Sequence, residues 1–166
     1  LIQEPFLIGE TINSANENMI SAGERGLKKL LKSFNNKYTG TKQDVNKGNS
    51  LRKRDIHDIT IDPRMGSNVI IKIVNSFCYP YPLARLYFKK NSYLNIAQVN
   101  VLSTEELDKN WEDYEHGYIF KAEKDSIYMR VDDSVINIKI NCINLDTSLL
   151  HNNKVHPPSY YFNLEL

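Results

Sequence analysis

The side chains able to do chemistry in this sequence fall into three groups, and the histidines and cysteines come first. His57 stands beside Asp58. Adjacent residues of an extended strand point to opposite faces, so these two cannot act as a base and its orienting acid. His151 and His156 lie just ahead of Pro157-Pro158 without a third ligand near them, and Cys78 and Cys142 lack a metal-type spacing. Both thiols read as free and reduced, because 166 residues suffice for a core without disulfides. The second group is acidic. Glu105, Glu106, Asp108, Glu112, Asp113 and Glu115 crowd together, yet without the spaced oxygen ligands and central Gly of a calcium loop. No Gly-rich phosphate loop, nucleophile elbow or dinucleotide fingerprint occurs. The sequence therefore reads as a non-enzyme, with no catalytic residues, no cofactor and no metal.

The third group is basic. From Arg25 to Arg54 the chain carries ten Lys and Arg against the single carboxylate of Asp44, although the net charge of the whole is only +1. Arg25, Lys28, Lys29 and Lys32 form one cluster, and Arg52, Lys53 and Arg54 another. Like charges spaced by one or two helical turns lie inside the Debye length of about 8 Å at 0.15 M salt, so an anion is expected close by. Two anions would serve: nucleic-acid phosphate, or the acidic Glu105–Glu115 segment of a neighbouring subunit. These seven residues are the candidate contact site.

The elements that must position these groups are mainly β. Ser134 to Leu145 alternates almost without a break, with Ile136, Ile138, Ile140 and Cys142 on one face and Asn137, Lys139 and Asn141 on the other. That period of two predicts a strand with one buried and one wet face, as antiparallel sheets have. Further strands are expected around Ile59–Ile61, over Val69–Val74, Tyr93–Leu102, Tyr118–Ala122 and Ile127–Val131, and at the end, where Tyr160, Phe162, Leu164 and Leu166 alternate. Leu83–Phe88 fits either a strand or a helical turn. Ser103 and Glu106 form a capping box that introduces a short acidic helix or turn carrying Trp111. Near the start, capping boxes at Ser14–Glu17 and Ser21–Glu24 precede a helix whose stripe is Ile20, Leu27, Leu31 and Phe34, with the first basic cluster opposite. Tyr38–Ser50 is polar, Gly-containing and aperiodic, and reads as an arm.

The division expected is an N-terminal extension over 1–55 and a β-domain over 56–166. Seven or eight short strands argue for an antiparallel β-sandwich of the jelly-roll kind, preceded by an amphipathic helix and an extended basic arm. No run of the sequence is long and apolar enough for a membrane-spanning helix. No N-glycosylation acceptor or signal peptide is visible, and the start at Leu1 reads as a product of cleavage from something longer.

Two segments resemble the capsid proteins of insect picorna-like RNA viruses, the dicistrovirus and iflavirus kind. Gly9-Glu10-Thr11-Ile12-Asn13-Ser14 and Leu27-Lys28-Lys29-Leu30-Leu31-Lys32 are similar to the two halves of a motif those proteins carry ahead of their jelly roll. Ala15–Gly26 separates the halves where the family pattern has nothing. Leu83-Ala84-Arg85-Leu86-Tyr87-Phe88-Lys89-Lys90-Asn91-Ser92 is similar to an apolar stretch running into a Tyr and an Arg-Gly-Ser turn, with Lys90-Asn91 standing in for Arg-Gly. The resemblance implies an eight-stranded jelly roll that tiles an icosahedral shell around single-stranded RNA. It also implies other capsid chains and genomic RNA as partners, and the virion or host cytoplasm as location. The alternatives left open are a β-sandwich interaction subunit of a cellular complex and a basic-arm module that binds nucleic acid or anionic lipid.

Overall fold

The structure is a computed structural model, and it describes residues 4–34, 42, 44–48, 50–103, 105–106, 110–141 and 147–162. Its contacts separate two compact units, Leu1–Arg54 and Asp55–Leu166.

In the first unit a single helix, α1 (Ile12–Ser33), runs for 22 residues. It starts earlier than either expected capping box. Thr11 is the N-cap, its side chain accepting from the Ser14 amide at 3.2 Å while the Ser14 hydroxyl accepts from the Thr11 amide at 3.1 Å. Ser21 therefore lies in mid-helix. Asn18 Nδ2 donates to the Leu7 carbonyl at 2.9 Å, tying the preceding strip to one side of α1. The stripe of Ile20, Leu27, Leu31 and Phe34 remains 55–76% exposed. Within the expected arm, Asp44 caps a short 3-10 turn, Val45–Lys47.

The second unit is built on one five-stranded antiparallel sheet: β1 (Ala84–Lys89), β2 (Ser92–Val101), β3 (Ile119–Ala122), β4 (Ser126–Arg130) and β5 (Val135–Ile140), in the order β1-β2-β5-β4-β3. The alternating stretch is the central strand, β5. Its register pairs Ile138 with Val99 on one side and Ile127 on the other, and Ile136 with Met129. Ile136, Ile138, Ile127, Met129, Ile119, Leu94, Ile96 and Leu86 are all fully buried on this face. Each such side chain contributes roughly 1.5–3 kcal/mol by leaving water. The segment left open between helix and strand is β1, and Asn91, with φ of 61°, makes the turn into β2.

Three expectations are corrected here. Val69–Val74 is not a strand but part of α2 (Ser67–Ser76), which packs Ile70 and Val74 onto the core. Its start is held from far away: Asp133 accepts from the Ser67 amide at 2.7 Å and from the Ser67 hydroxyl at 3.1 Å. Ile56–Ile59 is a 3-10 turn, with Asp55 and Asp58 forming a capping box, so His57 and Asp58 are not strand neighbours. Extension begins only at Thr60, bridged to Arg85, and Ile61 donates to the Arg85 carbonyl at 2.8 Å. The last segment is a short helix, α3 (Pro158–Phe162), which buries Tyr161 and leaves Phe162 39% exposed. Phe162 lies against Tyr87 and His57. Leu164, Leu166 and Cys142 lie outside the described residues.

Candidate functional site

Alternation has a second consequence for the sheet. If Ile119, Ile127, Met129 and Ile136 face the core, then Phe120, Tyr128 and Val135 must project from the opposite face. Three other segments meet them there. Leu102, just past β2, donates its amide to the Val135 carbonyl at 3.0 Å, and the turn that follows brings in Glu106. A 3-10 turn, Trp111–Asp113, supplies Trp111, and Tyr114 follows it. Beyond the 3-10 turn Thr147–Leu150, the amide of Asn152 donates to the Ile119 carbonyl at 3.0 Å and the amide of Ile119 to the Asn153 carbonyl at 2.9 Å, setting His151 and Asn152 beside β3. The result is an open cleft of about 550 Å³. Trp111, Tyr114, Tyr118, Phe120 and Tyr128 form its walls, with Glu106, Lys121, His151 and Asn152 as its polar groups.

The rings are fixed by one another. Tyr114 and Tyr118 stack with centroids 4.5 Å apart, and Phe120 meets them at 76° and 80°, which makes a corner. Such contacts are worth about 0.5–1.5 kcal/mol each beyond burial. The Tyr118 hydroxyl donates to Asn152 Oδ1 at 3.2 Å. The Arg130 guanidinium lies 4.5 Å from the Trp111 ring centre, and its Nη1 donates to the Asp132 carbonyl at 2.8 Å. Burial lowers the Arg130 pKa from its ordinary value, against the charges of Asp132, Glu112 and Asp133. Lys121 sits 5.3 Å from the Tyr128 ring centre and pairs with Glu123 at 2.5 Å. Gly117 makes the approach to β3 possible: its φ is 87°, and a Cβ there would stand 2.0 Å from the Val155 carbonyl oxygen. Only glycine tolerates that position.

Among the described residues that line the cleft, Glu106 is the one carboxylate, with Lys121 and His151 also present. The Ser103 amide and hydroxyl donate to Glu106 Oε2 at 2.9 and 2.8 Å, and they hold its carboxyl below the usual range. Glu115 is likewise lowered, through its hydrogen bond and ion pair with Lys154. Glu112 and Asp113 are exposed. Of the acidic segment marked by the sequence, Glu106 lines the aromatic cleft. Its aromatic content, Trp111 and Tyr114 followed by Tyr118, Phe120 and Tyr128, was the signal available. Linear spacing does not reveal that the five rings converge.

The seven basic residues are all in the first unit. Arg25 and Lys29 close on Glu4, at 3.7 and 2.5 Å, and the hydrogen bond from Lys29 heads the causes that lower the Glu4 carboxyl. The anion expected near this cluster is thus supplied, for these two, by the chain itself. Lys28 and Lys32 are exposed on α1. Arg52, Lys53 and Arg54 are exposed in an irregular segment, where Arg52 Nη1 donates to the Lys53 carbonyl at 3.3 Å. His156 stacks on Tyr160 at 4.1 Å, while His151 lines the cleft. Among the described residues no three His, Cys, Asp or Glu side chains group as a metal site, and no helix is long and apolar enough to cross a membrane.

No family model matches the chain, and no curated protein does. Among solved structures it is similar in fold to a variant of HypX from Aquifex aeolicus, with a TM-score of 0.52 and 11% sequence identity over 74% of this chain. The match spans 19% of the HypX chain.

Proposed function

We propose that residues 55–166 act as a binding module rather than a catalyst, and that the aromatic cleft is where a small ligand docks. One observation carries this reading: five aromatic side chains, four from Trp111–Phe120 and Tyr128 from β4, line one open cleft of about 550 Å³ together with four polar groups. Ligand sites have this size and this mixture of apolar wall and few polar anchors. The HypX likeness, confined to under a fifth of that chain, supports a fold that serves as one part of a longer protein. Trp111 is the only tryptophan, so its emission reports on the cleft alone. A panel of nucleosides, mono- and disaccharides and organic amines, titrated against the protein, should contain a member that changes that emission. Tyr114→Ala should weaken its binding about tenfold through lost stacking. A panel in which no compound perturbs Trp111 removes the proposal.

A second reading, assembly into a shell, is favoured by a different observation: the exposed apolar stripe of α1, with Lys28 and Lys32 exposed elsewhere on the same helix. In that reading the chain is a capsid protein, the five-stranded sheet belongs to a jelly roll, and the partners are other capsid chains and genomic RNA. Association of the purified chain on size exclusion, and an RNA affinity whose salt slope falls by about 0.7 per lost contact when Arg52, Lys53 and Arg54 are changed to Gln, would support it. A monomer whose RNA binding ignores those substitutions removes it.

A further inference from the structure

We infer that the ligand of the aromatic cleft is a small organic cation, an alkylammonium or guanidinium compound; this rests on the binding-module reading. The argument begins with the walls. Aromatic faces carry negative electrostatic potential, and rings set at right angles, as Phe120 is to Tyr114 and Tyr118, offer a cation more than one face at once. The chain itself demonstrates the affinity of these walls: Arg130 rests on Trp111 and Lys121 on Tyr128.

Those two internal cations would repel a third unless they were balanced, and they are. Lys121 is paired with Glu123, and Arg130 feels Asp132, Glu112 and Asp133. Glu115 is spent on Lys154. Glu106 differs. It lines the cleft, and both donors from Ser103 go to Oε2, while no cation pairs with it among the described residues. Because those donors favour the charged form, it stays ionised through the neutral range. A phosphate or carboxylate ligand would meet this carboxylate unfavourably, whereas a neutral ring would leave Glu106 without a counter-charge. An ammonium or guanidinium group satisfies both walls and carboxylate. The cleft's volume of about 550 Å³ is that of a small-molecule site, which favours a free compound over a peptide strand.

The test uses choline and its uncharged isostere 3,3-dimethylbutan-1-ol, with Trp111 emission as the readout in the full chain. Choline should bind, and the isostere should bind at least about tenfold more weakly. Glu106→Gln, whose side-chain oxygen can still accept from Ser103 and whose folding is checked by a cooperative thermal transition, should lower choline affinity about three- to tenfold. Equal binding of the two compounds, or choline affinity untouched by Glu106→Gln, overturns the cationic assignment. If instead a disaccharide or nucleoside binds and the cations do not, the cationic assignment falls and the binding module stands. A lysine-rich peptide that binds where choline fails overturns the commitment to a small molecule. Silence from every compound removes both proposals.

Discussion

Ile138 shows how much of this protein is decided by single side chains. It is fully buried at the centre of the sheet, opposite Val99 and Ile127. Ile138→Ala leaves a cavity bounded by strands that cannot collapse into it, so the loss should be about 2–5 kcal/mol, read as a lowered unfolding midpoint in urea. Lys139, its neighbour, is exposed, and Lys139→Ala should shift the midpoint by less than about 0.5 kcal/mol. Equal effects at the two positions would mean that the register is wrong by one residue. The same alternation turns Tyr128 and Phe120 toward the cleft, so core and candidate site are two sides of one pattern.

At the scale of elements, α2 is the informative case. Val69, Ile70, Ile71, Ile73 and Val74 are β-branched, and propensity favours a strand. Two things override it. Ile70, Val74 and Phe77 recur at helical spacing and all meet the core. Asp133, between β4 and β5, then accepts from the free amide at the first turn. Asp133→Ala removes this cap, leaving the Ser67 amide and hydroxyl without it. The expected cost is about 1–2 kcal/mol, measured as loss of thermal stability, with Asp133→Asn recovering part of it. No change in either variant would show that the helix is held by packing alone. The helix α1 presents the opposite situation: its amphipathic stripe is legible from Ile20 onward, yet its true cap is Thr11, because Ser14 serves as the N3 partner rather than as a start.

At the scale of the whole molecule, charge governs the response to acid. Glu4, Asp62, Glu106, Glu115 and Glu123 all have carboxyls held below their ordinary range. At Asp62 burial alone would raise the value, and the hydrogen bonds from Arg64, at 2.6–3.2 Å, outweigh it. A depressed folded-state pKa means that the unfolded chain takes up protons first. The stabilisation from these groups is therefore complete above the ordinary carboxylate range and is lost as pH falls through the folded values. The thermal midpoint should be nearly level from pH 7 to 5 and drop below about pH 4, and Asp62→Asn should make that drop shallower. A variant that falls as steeply as the parent would show that Asp62 has no share in it.

What the sequence by itself determined is the local and periodic part: a mainly β domain, the central strand and its buried isoleucines, an N-terminal amphipathic helix, and the segregation of basic from acidic segments. Period-two alternation carries that information because the pleat ties side-chain direction to position along the chain. Tertiary structure alone decided the rest. Val69–Val74, five apolar residues around Lys72, reads as a strand, yet it is helical because its apolar side chains meet the core and Asp133, far along the chain, caps it. The basic cluster at Arg25 and Lys29 shows its anion only when Glu4 folds back against it. The cleft exists only because the ends of β2 and β3, the Trp111 turn and the His151 segment meet on one face of the sheet. These are contacts between residues distant in sequence, and no local pattern encodes which distant groups will share a surface.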